Sequence, residues 1–535
     1  MRLLRVLLLC APCLAASHAA RAAPDEPAKR LDPAVLAGLA AEDSAEKIEA
    51  IRALAIQAGP GAVPVLQALA DDRLQVAGGR VLVADGEALR DAATGAILPA
   101  PPDGAEAVTI NNRVRRALEG TLSALRVFDP DRTVRLAAAT SLASSVTPEL
   151  LPLLDEALAA ERDGAVREPL ALARAQVLLR SDDRAARLDA VRALGEGATR
   201  NVRALLTAAA ADEPDPEVRA AAARSLGAVE RRLLLADVVN SVFSGLSLGS
   251  ILLLAALGLA ITYGIMGVIN MAHGELLMVG AYAGYAVQTF FRRSFPAAQD
   301  VYVLAAIPVA FAAAFTVGVL MERLVIRHLY RRPLESLLAT WGLSLVLIQT
   351  ARAVFGAQNV QVANPSWMSG GVSVLPSAVL PWNRIAIVCF SAGVLLVTWL
   401  LLQKTRLGMF VRAVTQNRAM AGCVGVPTGR VDSLAFGLGA GIAGLGGLAL
   451  AQIGNVGPDM GQLYVVDSFM VVVLGGVGQL AGAVLAALGL GVAAKFLEGA
   501  TGAVVAKILV LAFIVIFIQK RPQGLFALKG RAVEG

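Results

Sequence analysis

The 535-residue sequence predicts an all-α fold in two unlike parts, a soluble helical-repeat domain and then a polytopic transmembrane domain of about nine helical crossings. Hydrophobic residues make up 56% of the chain and charged residues 17%, too apolar for one soluble domain and too charged for membrane throughout. Of the 42 acidic and 48 basic residues, 10 and 19 lie from Leu233 onward, which leaves 32 and 29 before it. The first part is therefore dense in charge, and the second is sparse in charge and basic.

Residues 1–22 have the layout of a secretory signal peptide. Arg2 and Arg5 precede an apolar run that ends at Leu9, and small residues follow. The apolar run is too short to cross roughly 30 Å of hydrocarbon, which favours a cleaved signal over an uncleaved anchor. The domain formed by residues 23–232 is therefore expected outside the cytoplasm.

A repeated sequence motif marks this first domain. It runs as DPDRTVRLAAATSLA from Asp129 and returns in related form from Arg162, Asp182 and Asp215. Its aspartate opens a helix by capping free N–H groups, and the Val-Arg that follows places an apolar residue inward beside a long basic one. Equivalent places are held by Arg135, Arg167 and Arg219. The pattern resembles HEAT-like repeats, whose helix pairs stack into an α-solenoid.

A short β insertion interrupts these helices at about residues 73–100. Aliphatic and β-branched residues alternate there between turn signals at Gly78-Gly79 and Asp85-Gly86. Two interpretations stay open for this insertion: a docking surface on the solenoid, or a folded decoration.

The second part, residues 233–535, contains a series of apolar stretches of membrane-spanning length. Their cores lie near 240–262, 269–290, 301–321, 335–355, 385–402, 432–452, 464–478, 480–496 and 503–519.

Basic residues in three short segments predict the topology, because cytoplasmic loops collect Lys and Arg. The segments are 323–333, 404–430 and the tail; their basic residues are Arg323, Arg327, Arg331, Arg332, Lys404, Arg406, Arg412, Arg418, Arg430, Lys520, Arg521, Lys529 and Arg531. Placing all three in the cytoplasm puts the repeat domain outside and requires residues 464–496 to cross twice, with a break at Gly475, Gly476 and Gly478. Basic residues confined to short membrane loops favour topology over nucleic-acid binding as their role.

The loop 404–430 is the longest of the cytoplasmic ones. Its Val411, Val414, Arg418 and Ala421 predict a short amphipathic helix at the membrane face, which is what an ATP-driven motor needs to push against. The alternative is a loop that only fixes topology.

Polar side chains inside apolar stretches are costly and indicate a solute pathway. The candidates are Asn270, His273, Glu275, Gln349, Asp467 and Gln479. For each of them, the competing interpretation is that it ties helices together or supports broken backbone.

No nucleotide, cofactor or metal site is indicated. No Gly-Lys dipeptide occurs, so the P-loop is absent and another chain must bind any ATP. The G-x-G-x-x-G at Gly439, Gly441 and Gly444 lies in a membrane helix with no preceding strand, where glycines such as Gly437 and Gly441 permit close helix packing. Three histidines and four cysteines, two of these in the signal, show no metal-ligand spacing and no disulfide framework.

Residues 245–282, GLSLGSILLLAALGLAITYGIMGVINMAHGELLMVGAY, resemble the opening signature of the branched-chain amino acid and urea permease family of ABC importers. LLATWGLSLVL from Leu337, Arg406-Leu407-Gly408 and GGVGQLAGAVL from Gly475 strengthen the resemblance, which covers about 238–535. Residues 455–485 and 517–534, together with the expected exported repeat domain, resemble the urea permeases more closely than the amino acid permeases.

The resemblance implies a polytopic permease subunit in the bacterial inner membrane, with a second related permease, two ABC ATPase subunits and a periplasmic solute-binding protein as partners. The residues matching the ATPase-coupling region are Arg406, Leu407, Gly408, Val414, Asn417 and Arg418. The implied function is ATP-driven urea import without enzymatic activity or cofactor in this chain. Alternatives are a branched-chain amino acid or short-amide permease, a passive urea channel and a membrane-tethered interaction scaffold.

Overall fold

A computed structural model of the chain describes residues 31–78, 80–85, 88–98, 105–143, 148–330, 332–375 and 377–526. The predicted signal peptide, Gly79, Gly86, Arg331, Lys529 and Arg531 lie outside the described residues. The chain divides into two compact units, one up to Glu230 and one from Arg231, and the division falls within a helix. Each unit is described by itself.

The first unit is built of short helices around one apolar core. Ile51, Leu66, Leu118, Leu154 and Leu170 are completely or almost completely buried in this core. The helices are α1 (Pro33–Gly38), α2 (Ser44–Ala58), α3 (Val63–Ala70), α4 (Asn112–Leu125), α5 (Arg132–Leu142), α6 (Leu151–Ala160), α7 (Gly164–Leu178), α8 (Arg184–Glu196), α9 (Arg200–Asp212) and the start of α10 (Pro216–Met266).

The aspartates of the repeated motif cap these helices as predicted. Asp131, Asp163, Asp183 and Asp215 each accept a hydrogen bond from a backbone N–H of the first turn, at 2.8 to 3.0 Å. Four helices thus begin with the same aspartate N-cap, which accepts hydrogen bonds from backbone N–H groups that the helix itself leaves unpaired.

The arginines of the repeated motif make the same hydrogen bond in each repeat. Arg135, Arg167, Arg187 and Arg219 each donate an Nη1 hydrogen bond to the backbone carbonyl six residues earlier, at 2.9 to 3.2 Å. Each arginine therefore ties its helix to the turn that precedes it. This regular contact explains the HEAT-like pattern of the sequence.

The β insertion is confirmed. Strands β1 (Leu74–Ala77), β2 (Arg80–Asp85), β3 (Ala88–Asp91) and β4 (Glu106–Ala107) form an antiparallel sheet in the order β3-β2-β1-β4. The last strand lies beyond the predicted limit, because the chain returns to pair Gln75 with Ala107.

The second unit has a helix at each of the predicted apolar stretches. Its helices are the rest of α10, α11 (His273–Ser294), α12 (Tyr302–Leu324), α13 (Pro333–Phe355), α14 (Trp382–Lys404), α15 (Arg406–Gln416), α16 (Arg418–Cys423), α17 (Thr428–Ala451), α18 (Met460–Gly475), α19 (Leu480–Thr501) and α20 (Ala503–Lys520). A hairpin of β5 (Gly371–Leu375) and β6 (Ala378–Pro381) was not predicted.

Eight helical segments of the described chain are long and apolar enough to cross a membrane. One of them, Ser44–Ala70, belongs to the first unit, where Gly59 breaks it and its apolar side faces the core. Of the other seven, Pro216–Gly264 begins in the first unit and continues into the second, and six lie wholly in the second. Helix α11 and the shorter α18 fill the two remaining predicted stretches.

Helix α17 is the central helix of the second unit and is buried along most of its length. Its glycines permit this position. A Cβ on Gly447 would lie 1.8 Å from the carbonyl oxygen of Leu277 in α11, and one on Gly441 would lie 2.5 Å from the ring of Phe311 in α12. A Cβ on Gly437 would likewise meet α12, at 2.7 Å from Val319. Only glycine allows the three helices to approach so closely.

The predicted break falls between α18 and α19. Gly476 and Gly478 have φ of 99° and 77°, a left-handed conformation that glycine adopts without strain. A Cβ on Gly475 would lie 2.5 Å from the backbone of α19, so the two helices pack closely as the chain turns back. The tail returns to the same place, where Leu525 N donates to the carbonyl of Leu474 at 2.8 Å.

Two contacts join basic segments at one end of the second unit, called here the basic end. Arg327 Nη2 donates to the carbonyl of Gly429 at 3.2 Å, between the segment after α12 and the start of α17. Tyr330 lies with its hydroxyl 3.5 Å from Met266 Sδ at the end of α10. At the opposite end, Val360 pairs with Val456 in the loops after α13 and α17.

Candidate solute path and coupling segment

Buried polar atoms without a hydrogen-bond partner are concentrated along one helix. Within the described residues, eight side-chain atoms of this kind occur, all in the second unit, and five of them lie in or just before α11. The five atoms are Asn270 Nδ2, His273 Nδ1, Glu275 Oε2, Tyr282 OH and Gln288 Oε1. Buried polar groups normally have partners, so this row, called the α11 row, indicates a place that a solute or water completes.

The row begins near the basic end with three of the predicted pathway residues. Asn270 Oδ1 accepts from Ala272 N at 3.1 Å, and His273 Nε2 is 2.9 Å from the carbonyl oxygen of Ala255 in α10. Glu275 Oε1 accepts from Ser344 Oγ in α13 at 2.8 Å. Each side chain is therefore held by one polar atom while its other polar atom is unpartnered.

The middle of the row is Tyr282, which lies seven residues after Glu275 and therefore on the same side of α11. Its ring stacks on Phe355 of α13, with centroids 4.4 Å apart. Its hydroxyl has no hydrogen-bond partner. Glu275 and Tyr282 thus both face α13, and sequence analysis did not find the tyrosine.

The row ends at Gln288, near the opposite end of the unit. Gln288 Nε2 donates to the carbonyl oxygen of Ala363 at 2.7 Å, and Tyr302 OH donates to the same oxygen at 2.9 Å. Between His273 and Gln288 the helix rises about 22 Å, at roughly 1.5 Å per residue. The five atoms are therefore spread over most of the thickness of a bilayer core. Glu275 and Tyr282 lie on the side of α11 that faces α13, and His273 and Gln288 lie on another side.

The other predicted pathway residues do not join the row. Gln349 is exposed on α13, and Gln479 is partly exposed at the start of α19. Asp467 in α18 forms an ion pair with Lys507 of α20, with Nζ and Oδ2 3.3 Å apart. The lysine, which sequence analysis missed, gives that carboxylate a partner.

The loop 404–430 contains two helices where one amphipathic helix was expected. Asn417, with φ −153° and ψ 102°, ends α15 and begins α16, and its side chain caps α16 by accepting from Met420 N at 2.9 Å. The single-helix prediction was wrong because Val411, Val414 and Ala421 continue an apolar pattern across this cap. Those side chains still pack together, against Val431 and Ala435.

The start of the loop is a tight turn. Arg406 is the first residue of α15, Leu407 packs against the small apolar cluster, and Thr405 Oγ1 caps by accepting from Gly408 N. A Cβ on Gly408 would lie 1.9 Å from the carbonyl oxygen of Leu402 in α14. The turn between α14 and α15 therefore requires glycine at this position.

A polar network attaches this loop to the central helices at the basic end. Arg418 of α16 forms an ion pair with Asp432 of α17, and its guanidinium lies 4.9 Å from the ring centroid of Tyr330. Tyr330 OH donates to Glu322 Oε1 at 2.9 Å. Burial and the nearby carboxylates raise the pKa of Tyr330, which keeps its hydroxyl protonated as the donor.

Glu322 is the centre of the network and is completely buried at the end of α12. Arg327 binds it through two nitrogens, at 3.2 and 3.3 Å, and Ser433 Oγ of α17 donates to it at 2.5 Å. The network therefore joins α12, α16 and α17 in one polar contact. Among the described residues, no group of three or more His, Cys, Asp or Glu side chains is arranged to hold a metal ion.

An apolar helical bundle with a buried polar row and a basic helical loop at one end has the organisation of a transporter membrane subunit. The chain belongs to the family described as branched-chain amino acid transport system / permease component, whose family model matches residues 241–518, slightly more than half of the chain. The model for HEAT repeats matches residues 171–237.

Curated relatives agree with this assignment. The chain is 28% identical to the high-affinity branched-chain amino acid transport system permease protein BraD of Pseudomonas aeruginosa, over 54% of this chain and 95% of that one. It is 30% identical to the high-affinity branched-chain amino acid transport system permease protein LivH of Escherichia coli, over 48% of this chain and 84% of that one. A probable LivH of Methanocaldococcus jannaschii is 25% identical, over 48% and 80%. No solved structure matches the chain.

Proposed function

We propose that this chain is the permease subunit of an ATP-driven ABC importer and forms the membrane path for urea delivered by a periplasmic binding protein. The observation that carries the proposal is the α11 row, which lies inside the segment matched by the permease family. Polar groups in a membrane domain need partners or a wet cavity, and a solute moving along α11 supplies them.

The chemistry of the row supports a neutral solute. It consists of two carboxamides, an imidazole, a phenol and one carboxylate, that of Glu275, and contains no Lys or Arg. Urea is small, planar and neutral and both donates and accepts hydrogen bonds, so such groups suit it. A zwitterion would also need a fixed positive group for its carboxylate.

A branched-chain amino acid is the second candidate substrate. It is supported by the names of the relatives, which are described as branched-chain amino acid permeases. Short amides fall between the two candidates, since they share the planar carboxamide with urea and an aliphatic group with the amino acids.

The partners and topology belong to the same proposal. A second related permease, two ABC ATPases and a periplasmic binding protein complete the importer in the bacterial inner membrane. This chain then performs no chemistry, and ATP is hydrolysed in the partner subunits. Residues 1–22 are removed as a signal, and the domain of residues 23–232 lies in the periplasm.

The proposed mechanism is alternating access driven from the basic end. The ATPases push on α15 and α16, where Met409, Met420 and Val424 are exposed apolar side chains. Arg418 passes the movement to Asp432 in α17, and α17 packs directly on α11 through Gly447. The α11 row is thereby exposed first to one side of the membrane and then to the other.

Uptake of labelled urea and labelled leucine by a deletion strain carrying the complete operon tests the proposal. ATP-dependent urea uptake that needs this chain supports it. Uptake of leucine alone would replace urea by the second candidate. Urea flux without ATP in liposomes that contain only this chain would indicate a channel instead of an importer.

Protease access in spheroplasts tests the topology. Cleavage of the 23–232 region from outside is expected after the outer membrane is opened. Cleavage only from the cytoplasmic side would contradict the proposed orientation, and purification without any ATPase would support an interaction scaffold.

A further inference from the structure

We propose that Gln288, Gln452 and Asn383 form a binding site for a planar neutral amide at the end of the α11 row away from the loop 404–430, called here the coupling loop. The inference rests on the proposed function, because it names the solute class that the row accepts and the place where it is held. None of these three residues was found from the sequence, since each lies at or near a helix end, where polar residues are ordinary.

One backbone carbonyl brings the site together. The oxygen of Ala363 accepts from both Gln288 Nε2, at 2.7 Å, and Tyr302 OH, at 2.9 Å. Tyr302 OH is also 3.2 Å from Gln452 Oε1. Two glutamines from α11 and from the end of α17 are therefore held on either side of one phenol.

The third carboxamide comes from the start of α14. Asn383 Nδ2 lies 3.5 Å from the backbone carbonyl oxygen of Gln452. Asn383 of α14 is therefore next to Gln452, which in turn lies against Tyr302 of α12. Gln288, Tyr302 and Gln452 are 1%, 1% and 4% exposed, so these side chains are buried within the protein.

Each carboxamide uses one end within the protein and leaves the other unpartnered. The unpartnered atoms are Gln288 Oε1, Gln452 Nε2 and Asn383 Oδ1. The amides of Gln288 and Asn383 are fixed in orientation, because each nitrogen donates to a backbone carbonyl oxygen, so each of these side chains leaves a free acceptor. Gln452 leaves its Nε2 donor free. Together these groups match the N–H and C=O groups of a urea or carboxamide molecule.

The surroundings select against charge and leave room for an aliphatic group. Gln452 lies in the wall of a cavity of about 180 Å³ that is otherwise apolar, lined among others by Val303, Met368, Ile387 and Leu448. That space is several times the roughly 30 Å³ that one water occupies in the liquid. Because Gln452 is the polar residue of its lining, the cavity suits the aliphatic group of a short amide such as propionamide whose amide group contacts Gln452.

The site is closed in this structure, because the three unpartnered atoms are covered by protein. Opening requires movement of α14 or α17 at this end. Since α17 also carries Asp432 at the basic end, one helix connects the amide site to the coupling loop. The amide site is thus placed where alternating access exposes it to the side that receives solute.

The test uses the complete transporter reconstituted in liposomes, with Gln288→Leu and Gln452→Leu as variants that remove the amide but keep its size. The apparent KM for ATP-dependent uptake of labelled urea is expected to rise about tenfold in each, as for loss of one neutral hydrogen bond. Propionamide is expected to compete with urea in the wild type and to lose this effect in Gln452→Leu. Gln462→Leu is the control, because Gln462 is exposed on α18.

Unchanged KM for urea in both variants, with normal uptake by the wild type, overturns the amide site and leaves the proposed function intact. Absence of ATP-dependent urea uptake in the wild type, with leucine transported instead, overturns the proposed substrate and the site together. Where a leucine variant fails to assemble, Gln288→Asn or Gln452→Asn replaces it under the same criterion. These variants keep the amide but withdraw it by one methylene.

Discussion

Arg418 in the loop 404–430 is paired with Asp432, a completely buried carboxylate in the second turn of the central helix α17. Removing one partner of a buried pair leaves the other charge without compensation, which is far more costly than losing an exposed pair. The pair therefore ties α16 to α17.

Arg418→Gln is expected to uncouple the transporter. The loop keeps its helices, because Val411, Val414 and Ala421 still pack, but its movement no longer reaches Asp432. Solute transported per ATP hydrolysed should fall several-fold while the ATPase rate is retained. Arg430→Gln removes the same charge from an exposed position in the same loop and should leave the ratio unchanged. Equal ratios in the two variants would contradict the role of the pair.

Glu322→Ala is expected to destabilise the second unit. It leaves Arg327 and Ser433 without their common acceptor, a loss on the order of 3 kcal/mol for a buried charged partner. Glu335→Ala breaks an exposed pair with Arg332 and should cost below about 1 kcal/mol. Thermal unfolding of the purified complex compares the two, and similar melting temperatures would show that Glu322 is not needed for stability.

Gly447→Ala is expected to prevent close packing of α17 on α11. Its Cβ would lie 1.8 Å from the carbonyl oxygen of Leu277, and backbone cannot yield as a flexible side chain can. The cost should reach about 3 kcal/mol, which is visible as lost complex yield. Gly393→Ala in α14 is the control, since no atom lies within 4 Å of its added Cβ. Equal yields for both variants would argue against the observed packing.

The sequence predicted the elements whose signals are local. The repeated aspartate and arginine residues predicted the solenoid, apolar length predicted the membrane helices, and glycines predicted the turn between α18 and α19. A cap such as Asn417 was missed, since it interrupts the chain without interrupting the apolar pattern.

The site was predicted only in part for a different reason. Asn270, His273 and Glu275 stood out because they are polar within an apolar stretch. Tyr282 and Gln288 did not, because an amphipathic residue and a residue near a helix end are ordinary in membrane helices. Which polar atoms are unpartnered depends on neighbours distant in sequence, such as Ala363 for Gln288, and composition does not give them.

Acid should weaken the first unit through its capping carboxylates. The Arg132 guanidinium and the backbone N–H of Ala165 hydrogen-bond to Asp163 and hold its pKa below the ordinary value. The backbone N–H of Asp163 and the Arg135 guanidinium likewise lower the pKa of Glu161. A lowered pKa means that the stabilisation is complete above the unfolded value, near 4, and is lost as pH falls through the folded value.

Asp163→Asn should therefore lower the unfolding temperature of the first unit at pH 7, and this difference from the wild type should shrink toward pH 3. Calorimetry of the full chain at both pH values measures it. Asp189→Asn, which alters an exposed pair with Arg192, should have little effect at either pH. A difference for Asp163→Asn that is the same at both pH values would show that its charge is not responsible.

Asp467 and Glu275 are two membrane carboxylates with different surroundings. Lys507 Nζ lies 3.3 Å from Asp467 Oδ2 and also donates to the carbonyl of Leu463, so Asp467 ties α18 to α20. Glu275 is 1% exposed, accepts from Ser344 through Oε1 and leaves Oε2 without a partner in the α11 row. The first carboxylate is paired within the protein, and the second keeps one oxygen without a partner.

Asp467→Asn is therefore expected to lower complex yield or melting temperature and to leave uptake per assembled complex unchanged, and Lys507→Gln should reproduce this result. Glu275→Gln keeps the shape and one hydrogen bond to Ser344 but replaces the unpartnered acceptor. It should change the KM or the rate of uptake per complex while assembly is retained. Uptake normalised to assembled complex separates these cases. Unchanged transport in Glu275→Gln would remove Glu275 from the path, and altered transport in Asp467→Asn with normal transport in Lys507→Gln would place Asp467 in the path instead of at a helix contact.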